Sequence, residues 1–388
     1  MDFARDPAIL AFQEEVRAVL AEHLTTDVLE RVDATGTHHD WGLHRAIAAR
    51  GWLAAALPRE LGGQGRGADQ LAALFREVEL AGAPYDGMAN TMMVAFVLGH
   101  LGSAFQRAEV LAPLLAGDAI PCLGYSEPDS GSDVAAAATS AVRTGDGWTI
   151  TGQKMFTSLA EEARWAFLLT RTNQDVPKHR GLTFFLVPMD DPRVEVRPVR
   201  TLSGKRTNIT FYDGVHVGDE WRVGEVDDGW QVMLVALAFE RGVAGGVSDI
   251  TALYDAALAH LRDAVDDDGR HLLDDPHVRS RLVRVAIDKE VAELLGDRAA
   301  WAAVNGIPNQ EGAEAKLFGT EAFGRAAGAL LDALGPAGLL VHAALDAPAG
   351  GTLEHAYRYA PILTTAGGTS EIQKNLIAER TLGLPRRR

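Results

Sequence analysis

The chain has 388 residues, 47% of them hydrophobic, enough to fill two or three packed units. Its net charge of −16 opposes nucleic-acid phosphates, and with no apolar run of about 18 residues no membrane span is expected. The start, Met-Asp-Phe-Ala-Arg-Asp-Pro, lacks the basic-then-apolar layout of a secretory signal. The single cysteine, Cys122, cannot form an internal disulfide, which fits a reducing, cytoplasmic setting. Its neighbours Ala119, Ile120 and Leu123 predict a buried thiol. Among 12 histidines no metal-ligand spacing stands out, and His38-His39 reads as a solvated turn.

Residues 1–118 read as helical. Apolar positions recur at helical spacing over 8–24 and 43–56, and Gly62-Gly-Gln-Gly-Arg-Gly67 interrupts them as a loop. The stretch 92–101 is apolar almost all round, which predicts a buried helix. The period then changes. Segments 148–152, 165–171, 182–187, 194–199 and 208–217 read as strands between Gly, Pro and Asp turns, a compact antiparallel barrel or sandwich over 119–226. Over 227–388 the helical signal returns, at 230–244, 249–265, 277–304, 311–334 and 370–382, with mostly short connections that predict a four-helix-type bundle. The fold expected is α+β, mainly α, with a helical, a β and a helical domain in turn. The acidic run Asp263-Ala-Val-Asp-Asp-Asp-Gly269 reads as a solvated interhelical loop.

Three motifs carry chemistry. Tyr125-Ser-Glu-Pro-Asp-Ser-Gly-Ser-Asp-Val134 enters the β segment, Gly152-Gln-Lys-Met-Phe-Thr-Ser158 lies inside it, and Thr365-Ala-Gly-Gly-Thr-Ser-Glu-Ile-Gln runs to Arg380 near the end. Ser370 with Gln373 forms a capping box that predicts a helix start. Two glycines before a helix N-terminus make a plausible anion site, with free amides toward a phosphate. Gly131 offers a backbone able to turn closely against a ligand.

In their order and spacing these motifs resemble the signatures of the acyl-CoA dehydrogenase family, over nearly the whole chain and weakest around 255–310 and 335–355. The resemblance implies FAD as cofactor and α,β-desaturation of an acyl thioester, on CoA or an acyl carrier protein. The α-proton passes to a carboxylate and hydride leaves the β-carbon for flavin N5. It implies that Ser126 hydrogen-bonds the isoalloxazine, that Phe156 covers the ring where the family often has Trp, and that Ser158 sits beside N5. Leu123, Tyr125, Gly131, Thr157, Thr369, Ser370 and Glu371 are likewise flavin positions, and Ser132 lies near both flavin and pantetheine. Phe239, Arg241, Gly367 and Gly368 are substrate positions. The reduced flavin would pass electrons to an electron-transfer flavoprotein.

Gly367 stands where many members carry the catalytic glutamate; its backbone can donate to the thioester carbonyl but cannot take a proton. Between Gly229 and Ser248 the only charged residues are Glu240 and Arg241. Trp230, Met233, Leu237 and Glu240 recur at helical spacing, and a carboxylate in a buried stripe gains a raised pKa. Long-chain and isovaleryl-type members supply the base from this helix, and Phe239-Glu-Arg241 resembles their Glu-Arg pair. Glu240 is therefore the expected base, a structural ion pair with Arg241 being the alternative.

Two stretches depart from the family. Asp266-Asp-Asp-Gly-Arg-His-Leu-Leu-Asp-Asp-Pro276 stands where an Arg-x-x-Phe-Gly meets the FAD pyrophosphate, with Arg270 near enough to compensate. Asp332-Ala-Leu-Gly-Pro-Ala-Gly338 replaces Gln-x-x-Gly-Gly. Both concern the part of FAD usually held by a neighbouring subunit. The assembly is thus a homo-oligomer (dimer or tetramer) or a heterotetramer with a homologous subunit. A non-catalytic half-site subunit and a flavin-dependent oxygenase or oxidase are the alternative functions.

Overall fold

The computed structural model describes residues 6–243, 248–266, 268–307, 311–342 and 344–385, with the side chains of 240–243 and 248–249 outside the described set. The first helices are α1 Pro7–His23, α2 Thr26–Thr35, α3 Trp41–Ala49, α4 Ala68–Leu80 and α5 Asp86–Leu101, then the short α6 Ala104–Gln106 and α7 Ala112–Leu115. The strands follow as β1 Pro121–Gly124, β2 Ser140–Thr144, β3 Gly147–Lys154 and β4 Trp165–Arg171. They continue as β5 Leu182–Pro188, β6 Val194–Arg200, β7 Arg206–Gly218 and β8 Arg222–Val223. The later helices are α8 Gly229–Val243, α9 Ser248–Asp263, α10 Pro276–Val304, α11 Glu311–Leu334, α12 Thr352–Leu363 and α13 Ser370–Leu376. None of the described helices is long and apolar enough to cross a membrane.

The chain forms two compact units, one from 17–67 and 83–240, the other from 1–16, 68–82 and 241–388. The first holds the sheet, in the order β6-β7-β3-β2-β4-β5-β8 with β1 also on β4. Two of its pairings, β1 with β4 and β2 with β4, are parallel, so the sheet is mixed and not the antiparallel one expected. Parallel neighbours need a long crossover, and here β1 is joined to β4 through the whole β2–β3 hairpin. β4 is buried at every position, apolar from Trp165 to Leu169 and then Thr170 and Arg171, and Trp148, Ile150, Leu168, Phe185, Tyr212, Val215 and Val217 form the core on one face. Cys122 lies in that core, and burial pushes its thiol up to about 12. α5 buries residues around its full circumference, including Met88, Met92, Val94, Val97 and Leu98, matching its all-round apolar sequence.

His38-His39 is not a solvated turn. His39 forms an isolated β-bridge with Tyr85, and its ring meets Trp41 at 4.7 Å and His44 at 5.1 Å edge-on. Gly87 makes the space, since a Cβ there would overlap the imidazole. His38 Nδ1 lies 2.7 Å from a carboxylate oxygen of Asp86. Burial lowers His39 to about 4 and His44 to about 3, so both are neutral.

In the second unit α9, α10, α11 and α12 pack as the expected four-helix bundle. Ile250, Leu253, Ala257 and Leu261 meet Leu282, Val285 and Ala292, Phe323, Ala326 and Leu330, and Leu353, Ala356 and Ala360. α12 is absent from the sequence expectations. Its buried face is mostly alanine, Pro361 falls inside it, and Gly350-Gly351 precedes it with positive φ, so local signals hide a helix that packing forms. The acidic loop after α9 is exposed at most described positions, with Asp267 outside the described residues.

Candidate functional site

The residues singled out in the sequence fall in both units. In the first, β1 delivers Leu123 and Tyr125 to the start of the motif loop. Leu123 pairs with Phe167, and the Tyr125 ring stands edge-on to Phe167 and Phe184. The loop then runs 125–139 and is pinned at both ends by charges.

At the near end Glu127 and Lys154 form a buried ion pair of 2.7 Å, with the lysine side chain 0% exposed. Glu127 also accepts the N–H groups of Ala138 at 2.7 Å and Thr139 at 2.9 Å, and Lys154 Nζ donates to the Tyr125 carbonyl at 3.2 Å. Burial pushes Lys154 down to about 8 against the pull of Glu127. Burial pushes the Glu127 carboxyl up, but Lys154 holds it net below its ordinary range. At the far end Arg171 donates to the carbonyls of Ala135, Ala137 and Lys178 at 2.5, 3.2 and 2.7 Å. The stretch between, with Gly131, Ser132 and Asp133, is exposed. Gly131 does not use a left-handed φ, and a Cβ there would meet no atom of the chain within 4 Å.

Sequence reasoning missed Glu127, Lys154 and Arg171. The signal was present for the first two, since Glu127 and Lys154 each lie inside one of the singled-out motifs.

Lys154 ends β3, and the next residues carry the second motif. Met155 N–H donates to the Ser126 carbonyl at 2.8 Å, which ties the two motifs together and leaves Ser126 half-buried. Phe156 then adopts φ 61, a left-handed backbone rare for an aromatic residue, and its side chain is 60% exposed. It is therefore not barrel core. Thr157 is buried, donating its N–H to the Asn208 carbonyl at 2.9 Å and accepting at its own carbonyl from Asn208 Nδ2 at 2.9 Å. Ser158 Oγ lies 3.3 Å from Thr207 Oγ1. Asn208 is in turn bound to Glu161 at 2.6 Å, and Arg206 reaches the same carboxylate at 3.3 Å. An apolar ring is thus held out of the sheet by a left-handed backbone between Met155, tied to the motif loop, and Thr157, fixed to β7. Such strain persists only where surrounding bonds enforce it, and it is typical of ligand clamps.

α8 carries Phe239, which is buried against Phe96 with ring centroids 5.5 Å apart. Met233 and Ala236, seven and four residues before Glu240, are buried, while Trp230 and Leu237 are only half-buried. The buried stripe therefore lies slightly to one side of the expected one. The side chains of Glu240 and Arg241 lie outside the described residues.

In the second unit Gly367 and Gly368 have φ 65 and 89, so this turn requires glycine. Lys316 Nζ donates to the Gly368 carbonyl at 2.5 Å, and Gln373 Nε2 donates to the carbonyls of Gly367 and Gly368 at 3.2 and 3.3 Å. The helix cap is Thr369, whose Oγ1 accepts the Ile372 N–H at 3.3 Å. The expected Ser370–Gln373 box is corrected by one residue, because Gln373 is turned back to the glycines. Two amides offered to a phosphate are spent within the chain, Ile372 on Thr369 and Ser370 on the Thr364 carbonyl at 3.0 Å. Glu371 stands half-way along the first turn, exposed. Arg270 is exposed, its guanidinium 3.6 Å from Asp268 and its N–H on Asp266 Oδ1 at 2.9 Å. No group of three His, Cys, Asp or Glu among the described residues could hold a metal.

A helical segment, a mixed sheet with a clamped exposed aromatic, and a helical bundle ending in a glycine-locked turn follow one another along the chain. The chain matches the family descriptions acyl-CoA dehydrogenase N-terminal domain over 6–118, middle domain over 122–213 and C-terminal domain over 227–382. It belongs to the acyl-CoA dehydrogenase family, whose members are FAD flavoproteins. It is similar to the acyl-CoA dehydrogenase FadE26 of Mycobacterium tuberculosis (strain ATCC 25618 / H37Rv), at 32% identity over 96% of each chain. A chain of the ChsE4-ChsE5 complex from Mycobacterium tuberculosis has a TM-score of 0.90 at 33% identity, covering 100% of both chains. The Tcur3481-Tcur3483 steroid ACAD has a TM-score of 0.91 at 30% identity, again over 100% of both.

The residues present fit FAD. In the sheet unit, an exposed aromatic clamped at positive φ beside a serine hydroxyl gives apolar cover and a polar edge.

Proposed function

We propose that this chain carries out α,β-desaturation of an acyl thioester with Glu240 as the base. FAD, when bound, supplies the hydride acceptor. Ser126, Phe156, Thr157 and Ser158 would hold its ring, with Leu123 and Tyr125 behind them. Thr369, Ser370 and Glu371 are further flavin positions. Ser132, in the exposed part of the motif loop, would lie along the pantetheine. The Gly367 and Gly368 amides would polarise the thioester carbonyl, which lowers the barrier to α-proton loss. Phe239 and Arg241 would line the acyl end. The observation that carries the flavin assignment is Phe156, solvent-facing yet strained and braced on both sides.

Residues 1–118, 119–226 and 227–388 are the proposed domains. The neighbour described as a steroid ACAD supports a bulky, polycyclic acyl group, which a glycine at 367 would accommodate. That neighbour and the ChsE4-ChsE5 complex support a mixed assembly with a homologous subunit. Arg270, the only Lys or Arg over 263–275 and crowded by acid, fits that second reading of an incomplete pyrophosphate site. An electron-transfer flavoprotein is the proposed acceptor.

The test is anaerobic addition of acyl-CoA thioesters to the purified flavoprotein, following bleaching of the flavin absorbance. A polycyclic acyl-CoA should bleach it, and Glu240→Gln should slow bleaching by about 10²–10⁴-fold with flavin content unchanged. Bleaching at the native rate in Glu240→Gln removes Glu240 as base. Little flavin on the chain purified alone favours the half-site reading.

A further inference from the structure

Two residues after β3 hold a left-handed backbone that their side chains disfavour, Phe156 at φ 61 and Leu159 at φ 63. Thr157 and Ser158 lie between them, so this short turn is strained at both ends and keeps its shape only through bonds from outside. Asn208, fully buried on β7, supplies two of them. Its main-chain carbonyl accepts the Thr157 N–H, and its Nδ2 donates to the Thr157 carbonyl, each at 2.9 Å. The second bond requires the amide to be turned with its nitrogen toward Thr157. The shape of the amide does not decide this, because its oxygen and nitrogen are nearly the same size.

Glu161, whose side chain is only 14% exposed, decides it. One carboxylate oxygen accepts from Asn208 Nδ2 at 2.6 Å. The other accepts from Thr37 Oγ1 at 3.2 Å and faces Arg206 Nε at 3.3 Å. Arg206 Nε also donates to Asn208 Oδ1 at 3.3 Å. A flipped amide would therefore set its NH2 against the guanidinium and its oxygen against both the carboxylate and the Thr157 carbonyl. The position calls for a group that accepts on both sides, which an ionised carboxylate does. A glutamine would have to turn its NH2 either to Asn208 or to Arg206, donor against donor. We infer that Glu161 is a positioning residue for the flavin: acting through Asn208, it fixes the Thr157 backbone and so sets how Phe156 and Ser158 are presented. This role rests on the flavin reading of Phe156 and Ser158. Through Thr37 the same carboxylate ties the turn to the segment between α2 and α3, while its neighbour Glu162 faces elsewhere, to Trp41 Nε1 at 3.0 Å.

The test compares Glu161→Gln, Glu161→Asp and Glu162→Gln in the full chain. Amide hydrogen exchange on the protein as purified reads the lock directly, since the Thr157 N–H is one of its bonds. Glu161→Gln should speed exchange over 155–160 by at least about tenfold, the factor that loss of one hydrogen bond to a charged group gives. β3 and β5 should exchange as in the native protein. With FAD bound, the same variant should alter the visible flavin spectrum and reduction potential, which a purely structural role would leave unmoved. Glu162→Gln should change neither readout. A need for an acceptor on both sides places Glu161→Asp nearer the native protein than Glu161→Gln, whereas a need for size alone reverses that order. The reversed order overturns the inference. So does native exchange over 155–160 in Glu161→Gln, faster exchange spread evenly through the sheet unit, or a loosened turn with an unaltered flavin spectrum. Where Glu161→Gln does not fold, Glu161→Asp decides: loosening confined to 155–160 supports the lock, and native exchange there overturns it. None of these readouts uses thioester turnover, so failure of the desaturation reading, seen as no bleaching of the native flavoprotein, is told apart.

Discussion

Glu127→Gln tests whether the Lys154 pair is what braces the motif loop. The substitution keeps the size but puts an NH2 in place of one of the two oxygens that accept from Ala138 and Thr139, and it removes the charge paired with a fully buried ammonium, which keeps the Tyr125 carbonyl at 3.2 Å. Removing one partner of a buried pair destabilises by about 3–5 kcal/mol. Lys154 can escape part of this by losing its proton, since its pKa is already about 8. The lower end, about 3 kcal/mol at pH 7, is therefore expected for the sheet unit.

The pH dependence gives a second readout. Lys154 at about 8 lies below lysine's ordinary value of about 10.4, so the folded protein gives up this proton first. Between those values the unfolded chain binds more protons, and stability rises with pH. In Glu127→Gln the carboxylate no longer holds Lys154 up, so the rise begins below pH 8. Urea unfolding followed by tryptophan fluorescence between pH 6 and 10, with Lys154→Met and the double variant, gives the cycle. The double variant should recover much of the loss. A Glu127→Gln protein within about 1 kcal/mol of native at pH 7, with an unchanged pH profile, would refute the reasoning.

Acid should unfold the sheet unit through its histidines. His39 and His44 are lowered to about 4 and about 3 by burial, so the unfolded chain takes up protons first below about 6.5, and stability falls as pH drops from there toward those values. His44→Leu should move the acid midpoint down relative to neutral-pH stability, and an unchanged midpoint on acid titration by circular dichroism would count against it. In the bundle unit, Gly367→Ala should lower stability by about 1–2 kcal/mol, because φ 65 is a conformation that a Cβ disfavours. Calorimetry showing no change would mean the turn relaxes despite the Lys316 and Gln373 bonds.

Local pattern was enough for much of this protein. β4 spans the expected 165–171, begun by the apolar run Trp165 to Leu169, and α11 fills the expected 311–334. The three motifs were also legible, since they are contiguous in the chain and their residue types are unusual together. These features depend on neighbours a few residues apart, which the sequence lists side by side.

What the sequence left open depends on residues that meet only after folding. The parallel placing of β1 and β2 on β4 follows from long connections, and α12 is a helix because its alanine face is buried by α9 and α11. Ser370 looked like the cap, but Gln373 found the Gly367 and Gly368 carbonyls and Thr369 took the role. Phe156 could have been core until its φ and exposure were known, and the Glu127–Lys154 pair joins residues 27 apart. Hydrophobic period and capping are one-dimensional signals. Burial, charge pairing and backbone strain are decided by which segments share a volume, and only the tertiary structure decides that.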